Sequence, residues 1–379
     1  MFRLTQASAL RVVSLAAGWC PLEGLSVPVK QERHALADVV QRRGPSARAP
    51  VYYAAMRTAV LLAVLTLTAH PGLAQVHHFE KRLPAEGLVT LDVHTERGGI
   101  SIVAGAPGEV VVGGTARVRI GWAVPSDADA LARATAEAPP ITSEGSTLVL
   151  RPPADARARA AVTLGYEVRV PPATALVVRT DSGAVSVTGT TRAVSVESGS
   201  GSITLRDLGA DLQVKSGSGA VSATGVGGSV HATTESGGLT FERIAASLEA
   251  ATGSGAVKAT FSGPGDVHVR TQSSAVSLYG VDGGLRVETG SGHVSVSGRP
   301  QRPWQITTSS SSVDLALDPA SAAALDVATR SGSVRVEELD VTGTIDKRHV
   351  AGALGTGGPS VQVRSGSGSI RLRRTPEAP

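Results

Sequence analysis

Three features of the 379-residue sequence point to an all-β chain folded as a parallel β-helix, or β-solenoid, with coils of about 18 residues and a small N-terminal cap containing one helix. The first is a phrase written ten times between Leu176 and Leu372. The apolar residue after each Ser-Gly turn marks it, at Val185, Ile203, Val221, Leu239, Val257, Val276, Val294, Val313, Val334 and Ile370. Successive gaps are 18, 18, 18, 18, 19, 18, 19, 21 and 36, the last reading as two periods with a degenerate unit between. The second is strict alternation in two short runs per unit, and the third is a turn of fixed composition between those runs. No unit can bury its own apolar face, so the coils must stack.

Within a unit, the strand before the turn places apolar residues nine and seven positions ahead of the marker, as in Leu176 with Val178 or Leu212 with Val214. Polar residues follow in the outward slot: Arg179, Glu197, Lys215, Arg270, Glu288. Period-two alternation puts one set inside and one outside. The turn carries Ser three before the marker and Ser or Thr five before it in all ten units, with Gly two before it in eight. Ser274 and Ser311 are the exceptions. Gly admits positive φ in sharp turns, and small hydroxyls bond locally there. The strand after the turn repeats the alternation (Val185-Ser186-Val187, Ile370-Arg371-Leu372). A second bend, often with Gly, adds a third inward corner at Leu208, Val226, Ile244 or Val281. Right-handed winding is favoured, since parallel crossovers are overwhelmingly of that hand. Roughly ten to twelve coils at about 4.8 Å each predict a rod of about 50 Å.

Ahead of the repeat, Met56-Arg57, an apolar run from Ala59 to Leu67, and Gly72-Leu73-Ala74 form a signal peptide, 56–74, with cleavage after Ala74. Residues 1–55 then read as a mis-assigned or disordered extension. Removing 1–74 takes away eight Lys+Arg and three Asp+Glu, leaving 36−8 = 28 basic against 32−3 = 29 acidic residues. The apparent charge of +4 disappears, and with it any basic nucleic-acid footprint. Cys20, the single cysteine, is also lost, so neither disulfides nor thiolate metal sites are expected. The mature chain has no apolar run long enough to span a membrane, and it is expected to be a monomer.

Residues 75–172 read as the cap. Leu91–Val93 and Ile100–Ile102 flank Arg97-Gly98-Gly99 as an early coil, Val110–Ile120 is a longer strand, and Asp127–Glu137 is the helix, with Ser126 as its N-cap and Pro139-Pro140 as its stop. Leu148–Leu150 and Ala161–Val170 return to strand. The solenoid proper spans 173–374. Lys347–Pro359 interrupts it, Ser360–Leu372 closes it, and Arg371, Arg373, Arg374 and Glu377, running into the tail 375–379, guard the far edge.

The segment Tyr166 to Pro172, the Ser-Gly-x-Val-x-Val units, and the break at Gly352–Gly358 before Ser367 to Ile370 resemble a bacterial adhesin-like β-strand-repeat family of unknown function, related to adhesin head domains, over about residues 80–374. The resemblance implies an exported solenoid of the cell envelope, and it brings no catalytic residues.

Chemistry is sparse in the sequence. An enzyme acting on polysaccharide, lyase or hydrolase, is the alternative reading, and it needs carboxylates clustered on adjacent coils. The outward column instead mixes signs, from Arg179 and Glu197 to Arg270 and Glu288, as a solvated face does. Phe241 and Trp304 occupy inward slots and read as core. The SGSG strings sit between strands, where a phosphate loop would lead into a helix. One constellation stands out. Eight residues before the marker, His231, Glu249 and His268 fall on successive coils in one outward column. Two imidazoles and a carboxylate can ligate zinc, but histidines two coils apart, about 9.6 Å, are far for one metal. The expectation is therefore no catalytic residue, cofactor or metal. The chain reads as a non-catalytic envelope module whose partner is a polysaccharide or a protein, located in the periplasm or outside the cell.

Overall fold

The computed structural model describes residues 76–119 and 125–375. The leader, Cys20, the signal peptide from Met56 to Ala74, and Glu377 lie outside them. Twelve coils stack among the described residues. Each gives one strand to a first face before the Ser-Gly turn and one to a second face after it. Val194–Ser198, Leu212–Ser216, Val230–Thr234 and Leu248–Thr252 succeed one another on the first face. Ile203–Leu208, Val221–Val226, Leu239–Ile244 and Val257–Phe261 do so on the second. Pairing is parallel and in register, with Val194 opposite Leu212, Leu212 opposite Val230, and Ile203 opposite Val221. Val276–Ser291 and Val294–Ser310 run on around the second bend and serve both faces.

The alternation of the sequence is the alternation of burial. Leu212, Val214, Val221 and Ala223 point inward, and Leu208, Val226, Ile244 and Val281 fill the third corner. Phe241 and Trp304 are fully buried, and the Trp304 indole donates to the Gly283 carbonyl at 2.8 Å. At the second bend, four residues past the marker, the backbone is left-handed: Gly189, Gly225 and Gly280 take this position, as do Asp207 and Arg243 at φ 52° and 56°.

The first turn works differently from the expectation. Most of its glycines are not in the left-handed region. What demands glycine is the neighbouring coil: a Cβ on Gly201 would lie 1.8 Å from the Gly183 carbonyl oxygen. The local hydroxyl bond does form. Thr234 and Thr252 Oγ1 accept from the N–H groups of Gly237 and Gly255 at 2.9 and 3.0 Å. Where Ser274 and Ser311 replace that glycine, the buried hydroxyls of Thr271 and Thr308 have no partner.

Both ends depart from a simple sequential stack. The early coil, Thr90–Thr95 with Ile100–Ala104, lies between the coil of Thr147–Leu150 with Val162–Val170 and that of Ala175–Thr180 with Val185–Thr188. The chain thus builds the second layer, then the outermost, then jumps back to the third. The far end does the reverse. Ser360–Ser367 inserts between Trp304–Thr308 and Ala323–Ser331, and Ile370–Arg374 between Val313–Leu317 and Val334–Glu337. The segment expected to close the stack is therefore an interior layer, with Val361, Val363, Ile370 and Leu372 fully buried. Arg371 and Arg373 do not guard the far edge. That edge is formed by Val334–Glu337 and, on the first face, by the antiparallel strands His349–Leu354 and Val341–Ile345. The 36-residue gap holds this excursion, not a degenerate coil.

Charge marks both insertions. Asp92, on the inserted N-terminal coil, lies 2.8 Å from Arg151 and 3.3 Å from Arg179 of its two neighbours. Arg371, on the inserted C-terminal coil, lies 4.0 Å from Asp314 and 3.4 Å from Glu337, and Arg364 pairs with Asp326. The signs are opposite at the two ends and the arrangement is the same.

Helix α1 (Ala128–Glu137) covers the N-terminal end of the core with Ala128, Ala132 and Ala136. Its N-cap is Asp127, which makes no side-chain cap bond, in place of the expected Ser126. A second short helix, α2 (Ala156–Ala161), was not legible in the sequence. It starts at Asp155, whose carboxylate accepts from the Arg157 N–H at 2.9 Å. Val76–Pro84 and Glu109–Val118 extend the second face as antiparallel strands, and Ile141–Glu144 extends the first. Phe79 meets Tyr166 edge-on at 6.1 Å, tying this cap to the outermost coil. Burial pushes the Tyr166 hydroxyl up in pKa, and it donates to the Arg151 carbonyl at 2.9 Å.

Candidate functional site

In-register stacking turns each sequence position into a column that runs the length of the rod. The column six before the marker carries Arg179, Glu197 and Lys215 on successive coils, then Thr233, Ala251, Arg270 and Glu288. Its opposite charges compensate one another: Arg270 Nε donates to Glu288 at 3.2 Å, and a hydrogen bond from Arg286 lowers the pKa of the same carboxylate. These residues form the solvated face that the sequence implied.

The column eight before the marker is the one singled out above. His231 stands opposite Glu249, and Glu249 opposite His268. The His231 Nδ1 lies 3.1 Å from Glu249 Oε2. His268 does not join that pair: its Nε2 is buried without a partner, and burial lowers its imidazole pKa so that the neutral ring is favoured. Among the described residues, no three His, Cys, Asp or Glu side chains are placed to hold a metal. The sequence therefore located the column correctly, while the structure brings together two of its three members.

What the sequence did not reveal is the groove around this column. It follows the first face from Thr90 to His268, across seven coils, with a volume of about 660 Å³. One side is the column of Ser195, Gln213, His231, Glu249 and His268. The other is the column ten before the marker, where Ala175 and Ala193 give way to Asp211, Ser229, Ser247 and Asp266. This second column is knitted coil to coil. The Asp211 Oδ1 accepts from the Ser229 N–H at 2.8 Å, the Ser247 Oγ from the Asp266 N–H at 3.1 Å, and the Asp266 Oδ1 from the Gly284 N–H at 2.8 Å. Arg302 reaches Asp266 Oδ2 at 2.7 Å from outside the lining. The only signal in the sequence was that this position turns polar in four consecutive units, a change that alternation alone does not interpret. No lysine or arginine lines the groove. The arrangement offers hydrogen bonds at one-coil intervals along a straight track.

Among the described residues no helix is long and apolar enough to cross a membrane. No curated protein matches the chain. A solved structure of a candidate cell adhesion protein from Clostridium sporogenes is similar at 7% identity and a TM-score of 0.20, covering 79% of this chain and 100% of that one. The family described as Toastrack DUF4097 matches residues 163–373, from the outermost N-terminal coil to the inserted C-terminal strand and more than half of the sequence. With its in-register parallel coils and Ser-Gly turns, the chain belongs to the Toastrack DUF4097 family.

Proposed function

We propose that this chain is a non-catalytic, exported module of the cell envelope, periplasmic or extracellular, that binds an extended partner along one face of a rigid solenoid. The observation that carries the reading is the groove across seven coils, whose polar groups are spread along the stack where an enzyme would concentrate them at one point. Its walls are regular strands fixed by parallel pairing on both sides, so little order is lost when a partner settles. The signal peptide read at Met56–Ala74 is what supports export.

The test is co-sedimentation of residues 75–379 with isolated envelope polysaccharide and with membranes, assaying the supernatant for released sugar. Retention without release is the expected result. Released sugar would make the chain a polysaccharide-degrading enzyme and overturn the reading, as would a protein left wholly in solution.

A further inference from the structure

The chemistry of the groove narrows the partner, granted the binding role proposed above. We infer that its occupant is a linear polysaccharide without negative charge, lying parallel to the solenoid axis.

Three observations argue for this. Asp211, Glu249 and Asp266 line the groove with no lysine or arginine among the lining residues, and the favoured state of His268 is neutral. The nearby Arg302 guanidinium is already taken up by Asp266 at 2.7 Å, so phosphates or uronate carboxylates would meet like charges along the lining, which disfavours anionic polymers. Next, the groups facing the track are those that exchange hydrogen bonds with sugar hydroxyls. Ser195, Gln213, His231, Glu249 and His268 stand one per coil. Their spacing is about 4.8 Å, so a polymer lying along the axis meets one polar group at each coil.

The third observation weighs against an extended peptide. Peptides that bind sheets add a strand to a free edge or drop alternate side chains into pockets. Here the strands cross beneath the groove with both edges already paired, and the track is continuous. Seven coils span six intervals, about 29 Å, so each sugar contributes little and affinity grows with chain length.

The experiment is calorimetric titration of the protein with linear hexamers of glucose, N-acetylglucosamine and glucosamine, alongside polygalacturonate and a lysine-rich peptide. At least one hexamer is expected to bind, more tightly than its own dimer, while polygalacturonate does not. Gln213→Trp, which fills the middle of the groove from an exposed position, is expected to weaken binding at least about tenfold. Lys215→Trp, on the same strand but outside the lining, leaves it unchanged. Matching thermal unfolding of the two variants separates loss of binding from loss of fold.

Binding of polygalacturonate, binding of the peptide alone, or equal loss in both variants would each overturn the inference. Should no hexamer bind while the protein still sediments with envelope polysaccharide or membranes, this assignment fails and the binding role stands. Should it neither bind hexamers nor sediment, both fail.

Discussion

The turn hydroxyls illustrate how one side chain changes value with its neighbour. Thr252 and Thr271 occupy equivalent buried positions one coil apart. Thr252 receives the Gly255 N–H, whereas Thr271 faces a turn where serine replaces glycine, and its hydroxyl is unsatisfied. A satisfied buried hydrogen bond contributes about 1 kcal/mol net, and an orphaned polar group costs stability. Thr252→Val is therefore expected to destabilise by about that amount, while Thr271→Val is neutral or stabilising. Urea midpoints of the two variants, compared at equal m-values, check this. The sequence showed Ser274 and Ser311 as departures from the pattern. It did not show their consequence, because the glycine's value lies in an inter-coil approach that one unit cannot display.

Among the strands, the ion ladders tie coil to coil. The hydrogen bond from Arg151 is the largest influence holding the Asp92 carboxyl below the usual carboxylate range, and the one from Arg364 does the same for Asp326. A carboxyl with a lowered folded pKa binds fewer protons folded than unfolded. Its contribution is present above about pH 4 and is lost as pH falls through its folded value. Asp92→Asn, which cannot titrate, is expected to lower stability at neutral pH and to flatten its acid-side decline. Denaturant unfolding of both proteins between about pH 2 and 6 decides; parallel curves would mean that Asp92 does not couple the coils. The sign alternation along the column of Arg179, Glu197 and Lys215 was legible, because adjacent repeats are adjacent strands there. The partnership of Asp92 with both Arg151 and Arg179 was not, because it depends on which coil stands beside which.

For the molecule as a whole, stacking order is the property the period could not disclose. An 18-residue repeat places apolar residues identically whether coils follow chain order or skip a layer. The gap of 36 before Ile370 therefore admitted a further coil where the structure has a hairpin excursion and a return. The groove was invisible for a related reason, since alternation assigns residues to inside or outside but does not describe relief on the outside. Deleting residues 360–379 should accordingly open an interior layer, costing the Val313 coil and the Val334 coil the neighbour that stands between them. The expected result is early proteolytic loss of residues 323–354 and a less cooperative thermal transition than the full chain shows. A single cooperative transition with residues 323–354 still protected would mean that the Val334 coil can stack directly on the Val313 coil.

The inserted layer also makes the state of the tail readable from outside. In an end-to-end stack, losing a terminal segment uncovers one new end resembling the old one. Here, a chain stopped short of residue 360 exposes two facing apolar surfaces, with Asp314 and Glu337 deprived of the cation between them. Truncated copies would therefore be sticky and protease-sensitive. The inserted layer thus acts as a seal between the two coils it separates.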